Sequence, residues 1–87
     1  MKTNDMQRNE LIENLESIHT TVMGECRIRK NLALGDDIHD AVGFCKKKIS
    51  DPGCMIYRQG KNWYCEIAGI KITVNAHSFT IITAHRI

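Results

Sequence analysis

The sequence has no apolar run close to the roughly 20 residues that a membrane-spanning helix needs, and it contains a single proline in 87 residues. Its first six residues contain no apolar run and lead directly into an amphipathic pattern, so we expect neither a signal peptide nor a membrane segment. With 43% hydrophobic and 25% charged residues, the composition is that of an ordered protein. The sequence therefore predicts one cytoplasmic domain over residues 1–87, with one modest core.

The chain also lacks the spacing of a zinc-binding or disulfide-rich protein, although it contains four cysteines and four histidines. It has no Cys-x-x-Cys pair and no histidine pair at helical or zinc-finger spacing. Cys45 and Cys65 fall on apolar faces of predicted elements, where cysteine behaves as a small hydrophobic residue. We expect reduced thiols rather than disulfides, no metal site and no other cofactor.

Acidic residues are scarce in the later part of the chain. Residues 27–87 contain ten of the twelve lysines and arginines but five of the ten carboxylates, whereas residues 1–26 contain two cations and five carboxylates. A basic body of this kind favours binding to a polyanion such as nucleic acid. Ordinary solvated surface charge is the alternative explanation.

Apolar residues at helical spacing predict two to three helices in the first half, about residues 5–49. The first helix, over about residues 5–22, is expected to be capped by Asn4 or Asp5 and to stop at Gly24. Its apolar face consists of Leu11, Leu15, Ile18 and Val22.

Two further helical segments are predicted before Pro52. Residues 26–32 suit one or two turns in which Ile28 and Leu32 point inward. The last helix is expected to be capped by Asp36 or Asp37 and to end in three lysines, which favour the negative end of the helix dipole. Its apolar stripe consists of Ile38, Val42, Cys45 and Ile49.

The second half, about residues 54–86, changes to the two-residue period of β-strands. Strands are predicted at about 54–58, 62–67, 70–75 and 79–86, and their short connectors make each neighbouring pair an antiparallel hairpin. The predicted fold class is therefore α+β, with the helices followed by a four-stranded antiparallel β-meander. The last strand is apolar on both faces, so we expect it to be central or to bind a partner protein.

Three segments, 27–32, 57–64 and 72–85, resemble a family of small bacterial proteins classified as a domain of unknown function. The resemblance covers nearly the whole chain, beginning at Ile18. The layout of helices followed by a sheet is in addition similar to that of the RelE-like ribonuclease toxins. That similarity implies RNA cleavage without a metal by Arg, Lys, His or Tyr of the sheet, and an antitoxin as protein partner. It identifies no particular catalytic residue.

Metal-independent RNA cleavage needs proton transfer and cations around the phosphorus. We predict Arg58, Lys61 and His77 as the catalytic group, because an up-and-down meander brings them to one end of the sheet. The predicted nucleic-acid-binding residues are Arg27, Arg29, Lys30, Tyr64, Lys71, His85 and Arg86. The alternative function is a non-catalytic regulator or inhibitor that binds a protein through the last strand. The sequence leaves the oligomeric state open.

Overall fold

The structure is a computed structural model that describes residues 10–87. Residues 10–13 are helical and lead into a 3-10 turn over Leu15–Ser17. Two α-helices follow, α1 over Val22–Leu32 and α2 over Ala41–Ile49. The rest of the chain forms four strands: β1 over Met55–Gln59, β2 over Asn62–Ile67, β3 over Ile70–Asn75 and β4 over Ile81–Arg86. The predicted α+β class is therefore confirmed.

The four strands pair antiparallel in the order β1-β2-β3-β4, which confirms the predicted meander. Each strand lies within two residues of its predicted bounds. The two-residue connector between β2 and β3 is the pair Ala68 and Gly69, whose φ angles are +50° and +75°. Positive φ at both central residues is the type I′ geometry that matches the twist of a hairpin.

The prediction of a single helix as far as residue 22, ending at Gly24, is wrong. The chain is extended at Ile18 and Thr21, and Thr21 caps a new helix by accepting a hydrogen bond from Gly24 N at 2.9 Å. Leu11 and Ile18 are in the core as the pattern requires, but Val22 is 82% exposed. The start of α1 is therefore set by the capping hydroxyl of Thr21 and not by the apolar spacing of the predicted first helix. The predicted cap at residue 4 or 5 lies outside the described residues.

The predicted cap of the last helix is also wrong, because Asp40 rather than Asp36 or Asp37 caps α2. Asp40 has an extended backbone, and its Oδ1 accepts a hydrogen bond from Gly43 N at 2.9 Å. Three aspartates in five residues give the same capping signal. The buried stripe decides between them, because it begins directly after Asp40 and consists of Ala41, Cys45 and Ile49.

Both helices pack on one face of the sheet, α1 mainly against β4 and α2 against β2. Ile28 and Leu32 of α1 point inward as predicted and join Ile72 and Val74 of β3 in the core. Side chains alternate along a strand, so Lys71 of β3 belongs to the opposite, uncovered face. The fold therefore leaves one face of the sheet open.

β4 is an edge strand rather than a central one. One of its faces packs against α1, whereas Ile82 is 47% exposed. Just before β4, Thr80 forms a parallel bridge to His19. The bridge consists of hydrogen bonds from His19 N to Phe79 O at 3.1 Å and from Ile81 N to His19 O at 2.8 Å. The segment after the 3-10 turn is thereby fixed beside the loop that joins β3 to β4.

Candidate nucleic-acid interface

One end of the sheet carries a shallow, solvent-open depression, which we call the cationic groove. Its polar lining residues come from β1 and the β1–β2 turn and from the end of β3 and the β3–β4 loop: Arg58, Lys61, Asn75, His77, Ser78 and Thr80. The predicted catalytic residues Arg58, Lys61 and His77 are thus brought to one place, as the hairpin topology implied. None of the described lining residues is acidic. This arrangement can bind an anion.

Backbone contacts hold the two cations of the groove beside the loop. Lys61 lies in the β1–β2 turn, and its carbonyl accepts a hydrogen bond from Ala76 N at 2.8 Å. Arg58 Nε donates to Gly60 O at 3.1 Å, and the guanidinium carbon lies 5.4 Å from the centre of the Trp63 ring. The Arg58 head group is therefore oriented while its side chain stays exposed.

Asn75, at the end of β3, organises the loop that carries His77 and Ser78. Its Oδ1 accepts hydrogen bonds from His77 N and Ser78 N, both at 2.9 Å, and from Ser78 Oγ at 3.2 Å. Its backbone N donates to Thr80 O at 2.8 Å, and its carbonyl accepts from Phe79 N at 2.8 Å. One side chain thus fixes the loop backbone and leaves the His77 ring exposed at the groove.

Phe79 has a φ of +60°, an uncommon conformation for a bulky L-residue. Its ring packs against Trp63 with the ring centres 5.4 Å apart, and its carbonyl accepts from His19 N. Backbone strain of this kind persists only where surrounding contacts enforce it. Here those contacts come from the core and from residue 19.

Sequence reasoning missed His19 as a residue of this site. Its Nε2 is 3.1 Å from Thr80 Oγ1, a groove-lining atom, and its Nδ1 is 2.8 Å from Ser17 O. Thr80 Oγ1 is in turn 2.8 Å from Ser78 Oγ. The separation of 61 residues between His19 and Thr80 explains why no local pattern revealed the pair.

Tyr64, Lys71 and His85 lie on the open face, away from the groove. Lys71 is the cross-strand partner of His85 and lies four residues from Asn75 along β3, about 13 Å at the usual strand rise. The Lys71 ammonium is 5.1 Å from the centre of the Tyr64 ring and 4.0 Å from Glu66 Oε2. A carboxylate therefore balances the positive charge at this end of the sheet.

Tyr57 joins Tyr64, Lys71 and Glu66 in a group that we call the second cluster of the open face. Its hydroxyl donates to Glu66 Oε2 at 2.7 Å, and its ring stacks on Tyr64 with the centres 5.5 Å apart. The hydrogen bond to Glu66, then burial, raises the pKa of the Tyr57 hydroxyl, since ionisation would place two negative charges side by side. The phenol therefore remains a neutral donor, and Glu66 is already engaged by two partners.

The remaining predicted nucleic-acid-binding residues are not brought together with these. Arg27, Arg29 and Lys30 lie on α1, which covers the other face of the sheet. Arg29 is 3.5 Å from Glu25 and also donates to His39 O at 2.9 Å.

Arg86, the last of the predicted nucleic-acid-binding residues, is attached to α1. It donates from Nη2 to Leu32 O at 3.0 Å, at the C-terminal end of that helix. The predicted set therefore divides between two faces, and Arg29 and Arg86 have clear structural partners.

The family model described as a protein of unknown function (DUF3781) matches residues 12–85. The chain belongs to this family. The resemblance to a domain of unknown function is thus confirmed, while neither the curated proteins nor the solved structures give a match. The DUF3781 match includes His19 and the whole cationic groove, so the site belongs to the shared domain rather than to an appendage. No match supports the similarity to RelE-like toxins, which stays a hypothesis.

Two negative observations concern the part of the DUF3781 chain that the structure describes. No helix in residues 10–87 is both long and apolar enough to cross a bilayer. Within the same residues, no three of the histidine, cysteine and carboxylate side chains are grouped so as to hold a metal ion.

Proposed function

We propose that this DUF3781 protein binds RNA in the cationic groove and cleaves it without a metal. The observation that carries the proposal is the lining of the groove: two exposed cations and an imidazole, with amide and hydroxyl groups and no acidic side chain among the described residues. Arginine and lysine supply the charge that a phosphodiester backbone requires. The open form of the groove suits an extended strand rather than an enclosed small ligand.

The second cluster of the open face supports the choice of this end of the sheet. Lys71 lies near Glu66, so its ammonium offers little net attraction for a phosphate. No such carboxylate lies among the described residues that line the groove around Arg58 and Lys61. The difference favours phosphate binding at the groove, with Tyr64 and His85 beyond its edge.

His77 suits the chemistry of the proposed cleavage. Its ring is exposed at the groove, and imidazole exchanges protons near neutral pH. In metal-independent cleavage the 2′-oxygen attacks the adjacent phosphorus, and the departing 5′-oxygen takes up a proton. We assign that proton to His77, while Arg58 and Lys61 stabilise the charge of the phosphorane.

Binding is tested first, with a fluorescently labelled single-stranded RNA and anisotropy at several salt concentrations. In the Arg58→Gln, Lys61→Gln double variant, the slope of log K against log salt should fall by about 1.4, because each phosphate contact on a single strand contributes about 0.7. The control is Lys47→Gln, which removes an exposed cation from α2. Equal affinity and slope in both variants would contradict binding at the groove.

Cleavage is tested with the same RNA in EDTA. Wild-type protein should leave 2′,3′-cyclic phosphate ends, and His77→Ala should lower the rate by about 10² or more. His85→Ala is the matched control, since it removes an imidazole at the far end of the sheet. Loss of activity in the His85 variant alone would place the catalytic site at the opposite end of the sheet from the groove.

A second candidate function is supported by the exposed apolar residue of the edge strand. Ile82 is 47% exposed on β4, and Val22 and Met23 are 82% and 67% exposed at the start of α1, the helix that packs on that strand. These exposed apolar side chains suit contact with a protein partner such as an antitoxin or a regulated target. Ile82 also lines the groove, so the test is Ile82→Thr, which adds no charge there. This change should abolish co-purification with the protein encoded beside this one and leave the salt slope of RNA binding unchanged. The reverse pattern would contradict it.

A further inference from the structure

A chain of hydrogen bonds runs from the cationic groove to an imidazole beside it. Ser78 Oγ lies 2.8 Å from Thr80 Oγ1, which lies 3.1 Å from His19 Nε2. On the far side of the ring, His19 Nδ1 is 2.8 Å from Ser17 O. Ser78 and Thr80 line the groove, whereas His19 is an exposed residue outside its lining that contacts the groove through Thr80.

The chemistry of these groups fixes the direction in which the protons point. A carbonyl oxygen can only accept, so His19 Nδ1 carries the hydrogen that bonds Ser17 O. In the neutral ring Nε2 is then an acceptor, and the Thr80 hydroxyl donates to it. Since that hydrogen is used, the Ser78 hydroxyl shares its own hydrogen between Thr80 Oγ1 at 2.8 Å and Asn75 Oδ1 at 3.2 Å. With His19 neutral, the Thr80 proton therefore points toward His19 Nε2.

Fixing the backbone does not explain why the His19 side chain takes part. Backbone hydrogen bonds from His19 N to Phe79 O and from Ile81 N to His19 O already attach this segment to the start of β4. The ring adds an oriented basic nitrogen directed at a groove hydroxyl. An acceptor held in one tautomer by a third group is the arrangement that activates a hydroxyl in many transfer enzymes.

We propose that Thr80 and His19 form the proton-accepting arm of the cleavage site, an inference that rests on the proposed RNA-cleaving function. Thr80 Oγ1 takes the proton of an RNA 2′-hydroxyl while its own proton passes to His19 Nε2. The freed 2′-oxygen bonds to the adjacent phosphorus and the bond from phosphorus to the 5′-oxygen breaks. The leaving oxygen takes a proton from the His77 imidazolium, and both histidines return to their starting states by exchange with water.

This assignment gives the two imidazoles different roles. His19 begins neutral and receives a proton through Thr80, the residue that contacts the substrate. His77 begins protonated and supplies one at the groove. Cleavage should therefore follow a bell-shaped dependence on pH, with its limbs set by one acid and one base. RNA with a 2′-deoxy nucleotide at the scissile position should bind but remain intact.

The test compares three variants on the labelled RNA in EDTA. Thr80→Val keeps the shape but lacks the hydroxyl, Thr80→Ser keeps the hydroxyl, and His19→Gln keeps a hydrogen-bonding group that takes up no proton near neutral pH. We expect the Val and Gln variants to cleave about 10² times more slowly or worse, and Thr80→Ser to stay within about tenfold of wild type. The acidic limb of the pH profile should disappear in His19→Gln. Because Arg58 and Lys61 are intact, RNA affinity should fall far less than the cleavage rate in all three variants, which also verifies folding.

The possible results separate the two proposals. If Thr80→Val and His19→Gln both cleave RNA at the wild-type rate, the proton-accepting role of Thr80 and His19 is refuted and the proposed function stands. If the wild-type protein binds RNA but does not cleave it, both the proton-accepting role and the nuclease activity are refuted, and RNA binding alone stands. Equal losses in Thr80→Ser and Thr80→Val also refute the proton-accepting role, because the hydroxyl would then not matter. Absence of RNA binding refutes the proposed function itself.

Discussion

Replacing Asn75 with aspartate should separate the stability of the groove from its affinity for RNA. The hydrogen bonds to the Asn75 side chain all end on Oδ1, which accepts from two backbone N–H groups and one hydroxyl. A carboxylate accepts in the same way. Asn75→Asp should therefore preserve the loop, whereas Asn75→Ala removes every one of these acceptor contacts.

The expected magnitudes follow from those contacts. A hydrogen bond contributes about 0.5–1.5 kcal/mol net, and the loop is exposed, so Asn75→Ala should lower the free energy of unfolding by about 1–2 kcal/mol. For a domain of this size that corresponds to a fall in Tm of roughly 5–10 °C. Asn75→Asp should change Tm by less than about 2 °C, because its bonds to the loop amides become charge-assisted. It adds one negative charge to the groove, and we expect RNA affinity to fall about tenfold.

Thermal unfolding by circular dichroism and RNA anisotropy on the same samples check both halves of this prediction. The salt slope should also fall by about 0.7 in the aspartate variant, as one effective phosphate contact is lost. A Tm loss in Asn75→Asp as large as in Asn75→Ala would refute the acceptor argument. Unchanged RNA affinity in a stable Asn75→Asp protein would refute the assignment of the groove.

Three further predictions concern the helical half. Asp40→Ala should cost about 1 kcal/mol in urea unfolding because α2 loses its cap, while Asp40→Ser should cost less than half of that. Gly24→Ala should destabilise the fold, since its Cβ would collide with the Thr20 hydroxyl, and Thr20→Ala in the same chain should recover part of the loss. Burial, then the charge of Asp40, raises the pKa of Cys45 from 9.0 to about 12. The unfolded chain therefore loses this proton first, and stability should fall between pH 9 and 12 by up to about 1.4 kcal/mol per pH unit, a slope absent from Cys45→Ala.

The sheet half is predictable because its signals are local. The turn Ala68–Gly69 adopts positive φ at both positions, and the two-residue period on either side sets which side chains enter the core. Hairpin connectivity then brings Arg58, Lys61 and His77 to one end without any long-range information. That part of the site could therefore be found from sequence alone.

The helical half is less predictable because periodicity and capping disagree within it. Leu11 and Ile18 are buried at helical spacing, yet the chain between Ile18 and Thr21 is not helical. Thr21 carried the signal that was missed, a hydroxyl residue in position to cap the helix that follows. A cap at Thr21 requires an extended backbone at that residue, so the first helix has to end before it.

The position of His19 beside the groove follows from tertiary structure alone. It depends on one parallel bridge to Thr80, formed by residues 61 apart, and a single bridge leaves no periodic trace in sequence. The bridge connects an acidic N-terminal segment to a basic sheet, so the fold couples two parts of the chain that composition treats as separate. Charge alone predicts where RNA would bind. The bridge holds the His19 ring beside Thr80 and so adds an oriented proton acceptor, which charge does not supply. A nuclease would need this acceptor, whereas a domain that only binds RNA would not.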